Sequence, residues 1–121
     1  MHHIDRRTPW DEIWEAFEGQ VRTGKVDYIG SSNFAGWHLV KAQAAVERRN
    51  FMGLVTEQHK YSLLERTAEM EVLPAARDLG LDVVAWSPLA GGLLGGRALK
   101  KHAGTRTSQR ADLIEKHLNT A

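Results

Sequence analysis

The chain has 121 residues, room for one ordinary domain, and carries a net charge of +1. Its 42% hydrophobic and 26% charged residues suit a soluble globular protein, and the near-neutral charge argues against nucleic acid or an anionic membrane as partner. Cysteine is absent, which excludes a disulfide scaffold and thiolate zinc sites and fits a reducing, cytoplasmic setting. No apolar run approaches the roughly 18 residues of a membrane span. "MHHIDRRTPW" at the start has no apolar stretch of the signal-peptide kind.

The first predicted element is a helix over "TPWDEIWEAFEGQVRTG". Thr8 is a suitable N-cap, and Pro9 suits the first helical position because its missing N–H has no partner there anyway. Trp10, Ile13, Trp14, Phe17 and Val21 repeat at helical spacing and make one apolar face, and Gly24 is the natural stop. Val26 to Ile29 reads as a strand. "GWHLVKAQAAVERRN" reads as a second helix, with Trp37, Val40 and Ala44 on one stripe. Leu54 to Glu57 reads as a second strand. Thr67 to Leu79 reads as a third helix stopped by Gly80, and Pro74 predicts a late start near Met70 or a kink. "LDVVAWS" is a third strand, "PLAGGLLGG" a glycine-rich loop, and "TSQRADLIEKHLNTA" a last helix with Ala111, Ile114 and Leu118 on one side.

The expected strand starts, Val26, Leu54 and Val83, are 28 and 29 residues apart, the length of a βα unit. Strands alternating with helices imply a parallel sheet with right-handed crossovers. An open doubly wound sheet and a (β/α)8 barrel both satisfy this, and both bind ligands at the C-terminal ends of strands. At those ends the sequence places Ser31, Ser32 and Asn33, then Gln58, His59 and Tyr61, then Trp86 and Ser87. Such residues also cap helices and satisfy loop backbone. Their recurrence at three neighbouring strand ends points instead to one polar patch. Hydroxyl and amide groups there could pair with a carboxamide, and an indole could lie against a heterocycle.

"GKVDYIGSSNFAGWHL", "EQHKYSLLER", "EVLPAARDLGL" and "VVAWSPLAGGLLGGR" together resemble the aldo-keto reductase superfamily, in the same order and spacing. They are similar to its bacterial branch near the potassium-channel β subunits. The resemblance covers nearly the whole chain and is weakest after Arg97. It implies a (β/α)8 barrel holding an extended nicotinamide cofactor, NADPH with NADH possible, and reducing a small-molecule aldehyde or ketone. Ser32, Asn33 and Gln58 match the residues that hold the carboxamide, and Trp86 matches the ring that stacks on the nicotinamide. Ser87, Leu89 and Gly91 match the pyrophosphate loop, and Arg97 and Arg106 match phosphate contacts. Their rival reading is a solvated surface charge. Ser31 falls at a variable position and drops out of the set. "MHHID" resembles the end of the fourth barrel strand, which makes His2 the catalytic histidine that orients and polarises the carbonyl. Its rival reading is a start residue followed by a tag remnant.

The Tyr, Lys and Asp that complete the family's tetrad belong to the first three strands and have no counterpart among these 121 residues. Tyr28 and Tyr61 lie in other motifs and do not replace the missing acid. The expectation is therefore a partial barrel of three to four βα units over residues 1–121, incomplete at both ends. Such a piece should be inactive alone and either marginal, a homo-oligomer or dependent on a complementing fragment. The competing class is a non-catalytic, cofactor-sensing regulatory protein on the same scaffold. An open-sheet signalling domain is weaker still, since it calls for carboxylates at the strand ends.

Overall fold

The computed structural model describes residues 1–95. The expected last helix, Arg97 and Arg106 lie outside the described residues. Helix α1 spans Trp10–Arg22, strand β1 Ile29–Ser32, helix α2 Gly36–Glu47 and strand β2 Leu54–Lys60. A 3-10 turn at Thr67–Glu69 precedes helix α3, Val72–Asp78, and strand β3 spans Asp82–Trp86. Further 3-10 turns occupy Ala90–Gly95, separated by the left-handed Gly91 and Gly92. The strands form one sheet in the order β1-β2-β3, parallel throughout. Alternating helices and parallel strands in chain order make this the α/β architecture of a partial (β/α)8 barrel.

Glycine ends two helices as the sequence implies. Past α1, Gly24 at φ 67° lets its N–H reach Val21 O and lets the Lys25 N–H reach Gln20 O. Past α3, Gly80 at φ 68° is followed by the Leu81 N–H on Ala76 O at 2.8 Å. Both are six-to-one closures that satisfy the last free carbonyls, and both turns need a positive φ. Pro74 is accommodated as expected: it is the third residue of α3, where its missing N–H breaks no helical bond.

Three local readings need correction. Thr8 does not cap α1; Pro9 occupies the cap position, and the Thr8 hydroxyl donates to Asp5 Oδ2 at 2.8 Å. The stripe Trp37, Val40 and Ala44 is exposed, with Trp37 at 47%. The buried face of α2 is His38, Leu39, Ala42, Ala45 and Val46, one residue round the helix. The helix has apolar residues on both sides, so period alone did not say which side meets the sheet. The first strand begins at Ile29, not Val26, and the second runs on to Lys60. Tyr28 is 68% exposed, and parallel pairing starts only at Ile29 opposite Leu54. Ser31 and Ser32 are thus inside the strand, and Asn33 alone follows it.

The core joins Trp14 of α1, Phe34, Leu39, Ala42 and Val46 of the α2 region, Ile29 and Leu54 of the sheet, and Val72 and Ala76 of α3. Trp14 is fully buried and donates its indole N–H to Ala42 O at 3.0 Å, so its one polar atom is satisfied where α1 crosses α2. Glu18, also buried, receives Arg49 Nε at 2.5 Å and Arg22 at 3.2 Å. The Gln43 side chain brackets the start of β2, accepting from Leu54 N at 2.8 Å and donating to Leu54 O at 3.3 Å. That supplies the pairing a neighbouring strand would otherwise give.

Alternation along the strands gives the sheet two unlike faces. Ser31, Glu57 and Val83 are in register on the face covered by the helices. Ser32, Gln58 and Val84 are in register on the other, with Lys60 opposite Trp86 one step further along. Gln58, Lys60 and Val84 are exposed on that second face.

Candidate functional site

The C-terminal ends of all three strands meet at a chain of side-chain hydrogen bonds. Trp86 Nε1 donates to Asn33 Oδ1 at 2.9 Å, and Asn33 Nδ2 donates to Ser32 Oγ at 2.9 Å. Ser32 Oγ in turn donates to Gln58 Oε1 at a longer 3.5 Å. Four predicted residues, from three stretches far apart in sequence, are therefore joined across the sheet. Asn33 is the hub, since its amide also reaches His2 O at 3.4 Å. Its backbone N–H closes the end of the sheet on Gln58 O at 3.0 Å.

The local backbone explains how these side chains are aimed. Asn33 lies at φ 60° and Ser87 at φ 55°, both left-handed, so the chain turns sharply out of β1 and β3. Asparagine tolerates this region better than most side chains, because its amide can bond locally. Gly30 has the opposite constraint. A Cβ there would sit 2.6 Å from Thr56 Cγ2 and 3.2 Å from Thr56 O, so only glycine lets β1 lie this close to β2.

Around the cluster the outcomes differ. The backbone of His2 joins the cluster, while its ring lies against His3, centroids 4.2 Å apart. Asp5, the last residue of "MHHID", accepts from Arg7 N at 2.9 Å and from the Thr8 hydroxyl. These bonds, the backbone one first, hold its carboxyl below the usual range. Lys60 Nζ sits 5.9 Å from the Trp86 ring centroid, so a cation borders the indole face. Ser87 begins the turn closed by Ala90 N on Ser87 O at 2.9 Å, Leu89 is exposed, and Gly91 has open space where a Cβ would project. Tyr61 donates to Glu69 Oε1 at 2.6 Å, and this bond, with burial, raises its pKa. A phenol so held gives up its proton less readily.

Behind the cluster lies a group that sequence reasoning passed over. Glu57 is fully buried on the covered face. Its Oε2 accepts from Ser31 Oγ at 2.5 Å, and its Oε1 accepts from Phe34 N at 2.9 Å and from His59 Nδ1 at 3.1 Å. The available signal was an acid at the register position facing Ser31, visible only once the strand boundaries move.

The donor and acceptor set suits a primary carboxamide, which offers one acceptor and two donors. Ser32, Asn33 and Gln58 provide hydroxyl and amide groups of both kinds within one connected patch. Among the described residues no group of three or more His, Asp or Glu could hold a metal ion, and no helix is long and apolar enough to cross a membrane.

A parallel α/β sheet with amide and hydroxyl groups gathered at its strand ends defines the class, and comparison with known proteins narrows it. The family model described as the aldo/keto reductase family matches residues 1–121, and the chain belongs to that family. It is 90% identical over 117 residues to the uncharacterized oxidoreductase YrpG of Bacillus subtilis, a match covering 97% of this chain and 36% of that protein. It is 35% identical to versiconal hemiacetal acetate reductase of Aspergillus parasiticus, over 78% of this chain and 27% of that protein. It is 33% identical to a probable voltage-gated potassium channel subunit beta of rice, over 82% of this chain and 30% of that protein. The chain thus spans about a third of the length of the curated relatives it matches.

Proposed function

We propose that this chain supplies the nicotinamide-binding part of an NAD(P)H-dependent carbonyl reductase. The observation that carries the reading is the hydrogen-bonded series Trp86–Asn33–Ser32–Gln58, which links all three strand ends. Asn33 and Gln58 would take the carboxamide through their amides, Ser32 through its hydroxyl, and the Trp86 ring would flank the heterocycle. Ser87, Leu89 and Gly91, on the turn that follows β3, would meet the pyrophosphate, with Arg97 and Arg106 as further phosphate contacts. His2 would orient and polarise the substrate carbonyl. The bound cofactor supplies hydride; the residues of this chain bind and orient.

The Asn33 amide is already engaged on both sides, by Trp86 and by Ser32. A carboxamide therefore has to exchange partners with side chains rather than with water alone, and the hub residue should dominate affinity. NADPH titrated into the full chain should perturb the indole fluorescence of Trp86, and Asn33→Ala should weaken binding by about tenfold, the equivalent of one or two polar contacts. Equal affinity in the wild type and Asn33→Ala would remove Asn33 from the site. No change in the wild-type signal would remove the reading itself.

The similarity to a channel β subunit supports a second reading, a cofactor-sensing protein that performs no reduction. It predicts the same binding, and no turnover of an aldehyde by a full-length barrel that includes this chain.

A further inference from the structure

We infer that Glu57 is the positioning residue of this site: one buried carboxylate clamps both ends of the segment that presents Ser32 and Asn33. The inference deepens the nicotinamide reading and rests on it only for the identity of the ligand.

Ser31 and Phe34 immediately flank the Ser32–Asn33 pair. Glu57 accepts the Ser31 hydroxyl on one oxygen and the Phe34 backbone N–H on the other, at 2.5 and 2.9 Å. The pair is thereby held between two fixed points on the neighbouring strand. The second of the pair, Asn33, is left-handed at φ 60°. A non-glycine residue in that region is held against its own preference and persists only where its surroundings over-determine it. The two bonds to Glu57 provide that determination from outside the loop. His59 Nδ1, donating to the same Oε1 at 3.1 Å, fixes the carboxylate in turn.

Burial makes the arrangement more than decoration. Glu57 has no exposed surface, and a buried carboxylate is strongly disfavoured unless its oxygens are hydrogen-bonded. An apolar residue would fill this place at less cost if packing were its only task. Glu57 also faces away from the ligand side, in register with Ser31, while Ser32 and Gln58 face the other way. It therefore acts through the loop and does not touch a bound molecule.

The test is nuclear magnetic resonance of the ¹⁵N-labelled full chain, using two indole N–H groups as reporters. Trp86 reports the site through its bond to Asn33, and Trp14 reports the core through its bond to Ala42. In Glu57→Ala the Trp86 indole proton should shift and exchange with solvent about tenfold faster, as expected for a lost hydrogen bond. The Trp14 indole should not change. Glu57→Gln, which still accepts the Phe34 N–H, should restore the Trp86 signal. An unchanged Trp86 indole in Glu57→Ala overturns the inference, as does a Glu57→Gln that behaves like Glu57→Ala. If Glu57→Ala does not fold, Ser31→Ala removes one arm of the clamp and must shift Trp86 while sparing Trp14; no shift overturns the inference. Addition of NADPH separates the two ideas. Wild-type chain whose Trp86 and Asn33 signals ignore NADPH sinks the nicotinamide reading, while the variant comparison without cofactor still decides the clamp.

Discussion

At the scale of single residues, small geometric facts decide what the strand ends can do. Asn33 is placed by its own left-handed turn, and its amide lies between Trp86 of β3 and Ser32 of its own strand. Gly30 makes the close approach of β1 to β2 possible. Gly30→Ala should destabilise the fold by about 1–3 kcal/mol, because the new Cβ meets Thr56 backbone as well as a methyl group. Urea denaturation of both chains measures it, and equal midpoints would show that Thr56 yields freely. The recurrence of amide, hydroxyl and indole groups at strand ends marked the patch in the sequence, and the aldo-keto reductase resemblance narrowed it to Ser32, Asn33, Gln58 and Trp86. Glu57 was not, because an acid next to a glutamine looks like any solvated polar pair until the register sets it opposite Ser31 on the covered face.

At the scale of elements, α2 shows how packing selects among equivalent patterns. Its buried side includes His38, which lies edge-on to Phe34 and 3.6 Å in centroid distance from Trp37, with neither ring nitrogen hydrogen-bonded. Burial lowers the pKa of His38, Arg6 and Lys41 lower it further, and Glu71 opposes them. Protonation is thus harder in the folded chain than in the unfolded one. Stability should be fully retained above the unfolded value of about 6.5 and should fall as pH drops below it, where the unfolded state binds the extra proton. Denaturant midpoints from pH 7.5 to 5 should show this loss, and His38→Phe should flatten the slope. An identical slope in both chains would exclude His38 as its source. The helix ends were readable in advance at Gly24 and Gly80, where only a positive φ closes the last turn. The buried side of α2 was not, since Trp37 and Val40 offer a stripe as apolar as the one that packs.

At the scale of the whole molecule, the described sheet has three strands, and β1 and β3 are its edges. One face is covered by helices; on the other, Val84 is 49% exposed. Edges and an uncovered apolar position favour association with further strands. The chain should therefore sediment as an oligomer or bind a polypeptide carrying further barrel strands. A monodisperse monomer with a sharp cooperative melt would count against this.

The sequence by itself determined the alternation of helices and strands, the stops at Gly24 and Gly80, the interruption that Pro74 imposes on the third helix, and the residue types gathered at the strand ends. These follow from local chemistry: ring closure, missing donors, positive φ and apolar spacing. Only the tertiary structure decided where the first strand begins, which side of α2 is buried and what holds the Ser32–Asn33 pair. Those depend on register between strands distant in sequence. A shift of three residues moved the serines of "GKVDYIGSSNF" from beyond the strand into it, and set Ser31 against the buried carboxylate of Glu57.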